Sequence, residues 1–360
     1  MEFHGQLNAN KIFTALFNQI ISQQVFADNI KGTNSSLVDL ARVDGTLFGD
    51  TKLYYSTDAL QSYAWGADEE ATNLLALDRP KAPEVQKIEL DVFRQIRLTV
   101  DNYLTKQAWM SDASFSSFND VMKGWIQDTK KIYDATTYNC YVGTAETQVG
   151  EQSKIITVVG EQNPALVMAE ALANLLVELQ DVSRDFNDYR HIRSYDESDM
   201  ICVWNAIHYN ALKKVDMPVI FHKEGLLNEF EQKVLPARYF GTLMGLTHTE
   251  DTVPSDGNTY RAVKELTLTV DGTPTHFFAG DAIPAGTAIF RDEVYREDDT
   301  IAFKLIHKGS IPYMSAFQVG TSFFNPRSLT ENNYLTFGHN TLQYLKNYPL
   351  ITARLIDADE

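Results

Sequence analysis

The sequence predicts a mixed α+β protein in which a long strand precedes a long helix. Apolar and polar residues alternate over 88–100, which is typical of a strand with one buried face. Apolar residues then recur every three or four positions over 114–142, which is typical of a helix. Short strand and helix patterns alternate from 151 to 221, and this alternation indicates a compact sheet with helices packed on it.

Length and charge narrow the classes of protein that fit. A chain of 360 residues exceeds the size at which one core usually stops growing, so two substructures or one elongated body are expected. Asp and Glu total 48 against 31 Lys and Arg, a formal charge of −17. Binding to a nucleic acid backbone needs a basic face, so this composition argues against it, although acidity alone also suits any soluble cytosolic protein.

The cysteines and the N-terminal residues indicate the cellular compartment in which the protein folds. Cys140 and Cys202 are interpreted as buried thiols in a reducing environment rather than a disulfide pair. The first residues lack a basic lead and an unbroken apolar run, so no signal peptide is expected. The apolar helical stretch 164–182 carries Glu170, Glu178 and several amides, and it is not expected to span a membrane.

In chain order, the first feature is an N-terminal arm over 1–44, with a helical run and an open polar segment. It would lie over a neighbour or over its own core. The strand over 88–100 comes next and measures roughly 43 Å at about 3.3 Å per residue. The shorter extended run 50–58 is expected to pair with it, and the stretch 62–83, with its glycine, acidic cluster and prolines, to form a mobile tip. A two-stranded arm has little core, so it should need a partner surface.

The helix over 114–142 is about eight turns long, well above the average helix. Its apolar stripe is predicted to consist of Phe115, Phe118, Met122, Trp125, Thr129, Ile132, Thr136 and Cys140. The polar face is predicted to carry Asp120, Lys123, Gln127, Asp128, Lys130, Lys131 and Asp134. Ser111 or Ser114 could cap its start, and Gly143 suits a left-handed residue at its end. A long core helix of an ordinary domain fits this pattern as well as a beam that organises its neighbours.

The second half predicts a strand at 155–159, a helix capped by Asn163, a buried strand at 200–204, a helix at 205–215 and a strand at 218–221. The helical seam is expected to be Leu172, Leu175, Leu176 and Leu179. A hairpin is predicted to turn at Asp271-Gly272, and Ile351, Ala353 and Leu355 to share one face of a final strand. The aromatic pairs Tyr54-Tyr55 and Phe323-Phe324 are interpreted as core or interface anchors.

No sequence motif indicates catalysis. The eight histidines are scattered without metal-ligand spacing, and the G-x-S-x-G, P-loop and G-x-G-x-x-G patterns do not occur. Catalytic, cofactor-binding and metal-binding residues are therefore not predicted, and we do not expect an enzyme. This evidence is weak by itself, because catalytic triads also arise without a local motif.

Four segments and the order of elements carry a family resemblance. The segments are LTVDNYLTK (98–106), VDMPVIFHKEGL (215–226), VLPARYFGT (234–242) and SFFNPRSLTENNYLTFGHNTLQYL (322–345). They resemble the major capsid proteins of tailed bacteriophages, which have the Hong Kong 97-type fold, and in particular those of small short-tailed phages. The resemblance implies an N-terminal arm over 1–44, an extension loop over 45–100, a peripheral domain with the spine helix over 101–150, an axial domain over 151–300 and a return to the peripheral domain over 301–360. The strand-rich stretch 246–300 would be an insertion in the axial domain.

The resemblance also implies a function. A shell-forming protein would assemble with itself as hexamers and pentamers into an icosahedral capsid around double-stranded DNA, which it would meet only by proximity. A portal and a separate scaffolding protein are expected as partners, with no cofactor and no membrane. Assembly would take place in the bacterial host cytoplasm, and the protein would end in the virion. Candidates for contacts between subunits lie in the extension loop: Tyr63, Ala64, Trp65, Asp68, Glu69 and Glu70.

Two other functions remain open at this point. A cytosolic enzyme with a motif-free site in the middle αβ segment would be a monomer or a small oligomer. A phage tail or decoration protein would form tubes, rings or trimers. A capsid protein would form very large assemblies, so particle size separates the three.

Overall fold

The computed structural model describes residues 36–45, 49–62, 79–101, 112–160, 162–214 and 231–358. The helices are α1 (Ser36–Leu40), α2 (Asp112–Thr144), α3 (Pro164–Gln180) and α4 (Ala206–Lys214). The strands are β1 (Arg42–Asp44), β2 (Thr51–Ser56), β3 (Glu84–Asp101), β4 (Ser153–Val158), β5 (Met200–Asn205), β6 (Glu231–Leu235), β7 (Gly241–Leu243), β8 (Glu250–Thr252), β9 (Tyr260–Ala262), β10 (Leu266–Val270), β11 (Thr273–Phe277), β12 (Ala288–Phe290), β13 (Val294–Glu297), β14 (Ile301–His307), β15 (Tyr313–Asn325), β16 (Thr330–Asn340) and β17 (Leu350–Asp357). The protein is therefore α+β, as predicted.

The described residues form two compact units. Unit 1 takes its residues from the ranges Met1–Asp50, Leu90–Ala135 and Met314–Thr341. Unit 2 takes its residues from the ranges Thr51–Glu89, Thr136–Tyr313 and Leu342–Glu360. Strand β3 and helix α2 each contribute residues to both units.

Unit 1 contains a sheet in the order β1–β15–β16–β3. Strand β16 pairs antiparallel with β15 on one side and with β3 on the other. Ile126 and Tyr133 of α2 form a small core with Leu335 and Phe337 of β16. The inner face of the sheet therefore packs on the helix.

The alternation predicted for β3 is confirmed. Ile88, Leu90 and Val100 are buried, and the residues of the opposite parity are exposed apart from the half-buried Phe93. Arg94 interrupts the apolar parity, but its guanidinium carbon lies 5.5 Å from the ring centroid of Tyr133, where cation–π attraction stabilises it. The strand has 18 residues, so it spans about 59 Å at 3.3 Å per residue, longer than the predicted strand.

The long helix is confirmed, but its predicted apolar stripe is only partly correct. Among the predicted stripe residues whose side chains are described, Cys140 is buried, and Trp125, Thr129, Ile132 and Thr136 are half-buried. From Tyr133 to Ala145 nearly every residue is buried, so these last turns have no face exposed to solvent. Asp134, assigned to the polar face, is also buried. It pairs with Lys130 (2.6 Å) and Arg42 (3.2 Å), which offset the cost of burying its charge.

The prediction that Gly143 ends α2 in a left-handed conformation is wrong. The helix continues to Thr144, and Gly143 does not have a positive φ. A Cβ atom at this position would lie 1.9 Å from the carbonyl oxygen of Tyr239. Glycine therefore serves here to admit another stretch of backbone against the helix. Ser111 lies outside the described residues, as does the side chain of Ser114.

Unit 2 is built on a sheet in the order β4–β17–β14–β5–β6. The three inner strands are antiparallel, and the outer strands β4 and β6 pair parallel with their neighbours. Helix α3 buries its predicted leucine seam against the sheet, together with Ile351 and Ala353 of β17. Its cap is confirmed, because Asn163 Oδ1 accepts a hydrogen bond from Ala165 N at 3.0 Å. The strand predicted at 218–221 lies outside the described residues.

The strand-rich stretch predicted at 246–300 is confirmed as a set of short antiparallel pairings. Strands β7, β13 and β9 form one small sheet, β8 pairs with β12, and β10 pairs with β11. These strands share a core of their own, which includes Val253, Phe277 and Ile289. The predicted turn of β10 and β11 is also confirmed, with φ of 50° at Asp271 and 78° at Gly272.

Candidate assembly surfaces

Strand β2 and residues 84–89 of β3 form a two-stranded ribbon, here called the arm ribbon. Its inner face contacts the rest of unit 2 through Gln86. The side-chain amide of Gln86 donates to the carbonyl oxygen of Tyr344 at 2.8 Å, and its Oε1 accepts from Lys346 N at 2.9 Å. Burial raises the pKa of Tyr54 on the same face, with a smaller contribution from Tyr348. One face of the ribbon is thus held to unit 2.

The outer face of the arm ribbon is exposed, and it carries three apolar side chains beside Thr51, Lys87 and Glu89. Leu53 is 50% exposed, Tyr55 is 65% exposed and Val85, directly opposite Tyr55, is 49% exposed. Exposed apolar patches on folded proteins commonly mark interaction sites, and two-stranded ribbons are marginal without further packing. The run 50–58 was predicted to pair with the strand over 88–100, but β2 pairs with residues 84–89, and β16 pairs with most of the predicted partner stretch. The outward face was not predicted, because Tyr54 and Tyr55 are both aromatic and leave the parity undecided.

A polar contact fixes the end of β2. The Ser56 hydroxyl donates to Asn347 Oδ1 at 2.6 Å and accepts from His191 Nδ1 at 2.7 Å. Arg193 donates to the carbonyl oxygen of Thr57 at 2.6 Å. Side chains from two distant segments therefore hold the ribbon where it runs on to residues 59–62.

Asp58 completes this contact. Its carboxylate accepts from Ile192 N at 3.0 Å and from an Arg184 guanidinium nitrogen at 2.7 Å. The Ile192 N–H, followed by Arg184, holds the pKa of Asp58 well below its usual range. The carboxylate therefore stays ionised, and the contact persists, at any pH near neutrality.

The predicted contact residues lie in 63–78, outside the described residues. They are Tyr63, Ala64, Trp65, Asp68, Glu69 and Glu70. The described chain reaches this stretch at Ser62 and leaves it at Arg79. Their role in contacts between subunits stays a prediction.

A second exposed apolar surface lies on the hairpin of β15 and β16 in unit 1. Val319, Phe323 and Phe324 are 43%, 62% and 50% exposed. The interpretation of Phe323-Phe324 as a core or interface anchor left two options, and their exposure excludes the core of this copy.

A buried charge cluster joins the end of α2 to the sheet of unit 2. Lys304 on β14 is fully buried, and its ammonium donates to the carbonyl oxygen of Ala145 at 2.5 Å. Burial lowers the pKa of Lys304 to about 7, although nearby Glu146 opposes this effect. Arg354 pairs with both carboxylate oxygens of Glu146, at 2.5 and 2.9 Å, and with Asp298 at 3.4 Å. Lys304 is fully enclosed, whereas Arg354, Glu146 and Asp298 remain partly exposed.

The two cysteines are not activated for chemistry either. Burial raises the pKa of the Cys140 thiol to about 12 and that of Cys202 well above its usual value. Both thiols are therefore protonated near neutral pH and are poor nucleophiles. They form no disulfide with each other, as predicted.

Each unit contains a cavity within the described ranges. A cavity of about 290 Å³ in unit 1 lies between α2 and the β15–β16 hairpin, and another of about 180 Å³ in unit 2 lies between α3 and β4. In the part of the chain that the structure describes, no three His, Cys, Asp or Glu side chains are grouped to hold a metal ion. None of the described helices is long and apolar enough to cross a membrane.

Comparison with known proteins identifies the fold. No family model and no curated protein matches the sequence. A chain in the capsid structure of Staphylococcus phage Andhra is similar, with 10% identity and a TM-score of 0.59 over 93% of this chain and 87% of that chain. A chain in the structure of the head fiber and inner core protein gp22 of native bacteriophage P68 is also similar, with 10% identity and a TM-score of 0.58 over 88% and 83%. The chain therefore has the fold found in a phage capsid structure, as the resemblance in its sequence predicted.

Proposed function

We propose that this chain is the major capsid protein of a tailed bacteriophage, with a structural and not a catalytic role. Copies would assemble as hexamers and pentamers into an icosahedral shell around double-stranded DNA. The observation that carries the proposal is the likeness to a chain of a phage capsid structure over 93% of this chain and 87% of that one. Because the match covers nearly the full length of both chains, the two proteins are similar as a whole and not only in one shared domain.

The arm ribbon gives this proposal a physical basis. Its outer face places Leu53, Tyr55 and Val85 in water, although one face of the ribbon already packs on unit 2. Covering these side chains with a neighbouring copy would remove apolar surface from water, at about 25 cal/mol per Å². Obligate assemblies commonly bury more than 2,000 Å² per interface, so several such surfaces would be needed.

The division into functional regions follows the family resemblance. In this proposal residues 1–44 form the N-terminal arm, 45–100 the extension loop and 101–150 the peripheral domain with α2 as its spine. Residues 151–300 form the axial domain, with 246–300 as an insertion, and 301–360 return to the peripheral domain. The contact candidates in 63–70 would act where the arm ribbon meets its neighbour: Tyr63, Ala64, Trp65, Asp68, Glu69 and Glu70.

The proposed partners are other copies, a portal and a separate scaffolding protein. DNA would be enclosed without tight binding, which agrees with the formal charge of −17. Assembly in the bacterial host cytoplasm and a final location in the virion complete the proposal.

Electron microscopy of the purified protein tests this function. We expect closed shells, or rings of five or six copies, in the wild type. A protein that remains monomeric or dimeric at every concentration would contradict the proposal, and tubes or trimers alone would favour a tail or decoration protein.

Deletion of residues 61–83, with a short Gly-Ser linker in their place, tests the role of the arm. We expect a folded subunit that forms no closed shells, because the end of the arm would no longer reach a neighbour. Insertion of the same linker at the Asp271-Gly272 turn is the matched control and should leave assembly unchanged. Full shells from the deletion variant would refute the role of the arm.

A further inference from the structure

Strand β15 has an outer edge that no described strand covers over most of its length. The strand has 13 residues, and its partner on that side, β1, has only three. The hydrogen bond from Gly45 N to Ser315 O (3.1 Å) places β1 near the start of β15. From Val319 to Asn325, no strand in the described ranges pairs with the edge, here called the β15 edge.

The outward face of the sheet becomes apolar toward this edge. On β3 and β16, that face carries hydrogen-bonded polar groups: Gln95 donates to Thr336 at 3.2 Å, and Thr99 donates to Asn332 at 2.7 Å. On β15, the side chains directly opposite Thr336 and Asn332 are Val319 and Phe323. Both are exposed. The polar part of this face is satisfied within the chain, and the apolar part is not covered.

The β15 edge also lacks the features that normally prevent strands from associating. Exposed edges in monomeric proteins are usually protected by charged residues or proline. From Ser315 to Asn325 the sequence contains neither, although 22% of the whole chain is charged. An edge of this composition is suited to pairing with another strand.

The turn of the hairpin adds a further apolar residue in an unfavourable conformation. Leu329 has φ of 54°, a region that side chains other than Gly, Asn and Asp rarely adopt, and it is 41% exposed. Backbone strain of this kind is found where a surface has a function.

The charge distribution favours a second copy as the partner of this surface. Each copy carries a formal charge of −17, so two copies repel each other over most of their surface. Between Tyr313 and Tyr334 the only charged residues are Arg327 and Glu331, which cancel. A second acidic copy therefore meets little repulsion at the hairpin.

We propose that the β15 edge, with Val319, Phe323 and Phe324, is a contact surface for a second copy of this chain. The inference rests on the proposed function and specifies one of its contact surfaces, distinct from the arm ribbon. Main-chain hydrogen bonds along the edge would supply affinity, and the apolar side chains would supply buried area.

The test is the double variant Val319→Lys and Phe323→Lys. We expect it to retain the thermal midpoint of the unassembled wild-type subunit within a few degrees, because both side chains lie in solvent. Shell or ring formation, measured by sedimentation velocity and electron microscopy, should fall at least tenfold, because the added charges would have to be buried on pairing. Val177→Lys, the same kind of change at an exposed site on α3, is the control and should assemble as the wild type does.

The outcomes separate the inference from the function on which it rests. If the wild type and the double variant assemble equally, the inference is overturned and the proposed capsid function stands. If the double variant loses more than 10 °C in thermal midpoint as an isolated subunit, a segment of the same copy covers the edge, which also overturns it. A wild type that never assembles overturns both.

Discussion

Strands β14 and β15 follow each other along the chain and are both rich in apolar residues, yet they have opposite surroundings. From Ile301 to Ile306 every residue of β14 is buried, because the strand lies between β5 and β17 under α3. From residue 318 to 324 every residue of β15 is exposed. Apolar content alone therefore does not decide burial, which depends on the place of a strand in its sheet. In β14 the apolar residues stabilise the fold of one copy. In β15 the same holds for the buried Tyr313 and Met314, whereas the apolar residues from 318 to 324 are exposed.

The two strands should differ most in how much the free energy of unfolding falls when an aromatic ring is removed from each. Phe303 on β14 is 1% exposed, and its ring centroid lies 4.9 Å from that of Trp204. We expect Phe303→Ala to lower the free energy of unfolding by about 3–5 kcal/mol, because it leaves a cavity in the core. Phe323→Ala on β15 is the matched variant and should change it by less than about 0.5 kcal/mol.

Urea denaturation of the unassembled subunits measures both changes. Similar losses of stability in the two variants would mean that β15 is packed within its own copy, and the contrast between the strands would then be wrong.

The buried amine of Lys304 on β14 should have a smaller effect, which is to make the free energy of unfolding depend on pH. The pKa of Lys304 is about 7 in the folded protein and 10.5 in its ordinary state. Between these values the unfolded chain binds more protons than the folded chain, so the free energy of unfolding should rise with pH. One titrating group contributes at most about 1.4 kcal/mol per pH unit. Lys304→Met should remove this rise.

Denaturation at pH 7 and at pH 9 tests the effect of Lys304. Lys131→Met serves as the control, because Lys131 is 62% exposed and its replacement should leave the pH dependence unchanged. Equal slopes for the wild type and Lys304→Met would show that the amine stays protonated in the core. Burial in β14 would then lower the pKa of Lys304 less than the structure indicates.

Elements that depend on local sequence were predictable, and contacts between distant segments were not. The alternation over 88–100 identified β3, and the apolar spacing over 114–142 identified α2, because each pattern reflects the geometry of one element. The burial of Asp134 depends on Arg42, which is 92 positions away. The reason for Gly143 is the backbone of Tyr239, which no local pattern reveals.

The surfaces show the same limit. Tyr54-Tyr55 and Phe323-Phe324 were recognised as anchors, but an aromatic pair within a strand places one ring on each face. In Tyr54-Tyr55 only the pairing of the strands distinguishes the half-buried ring from the exposed one, whereas both rings of Phe323-Phe324 are exposed. The order of the strands likewise places β15 near the edge of its sheet. The sequence of β15 alone does not predict that order.

Hydrogen–deuterium exchange of the assembled particle and of the free subunit tests the central claim most directly. We expect the amides between Val319 and Asn325 that point away from β16, which belong to alternate residues, to exchange at least tenfold more slowly after assembly, because the β15 edge becomes hydrogen-bonded to a second copy. Amides of β14 should exchange at the same rate in both states, since that strand is already enclosed. Equal exchange along β15 in particle and subunit would contradict the account.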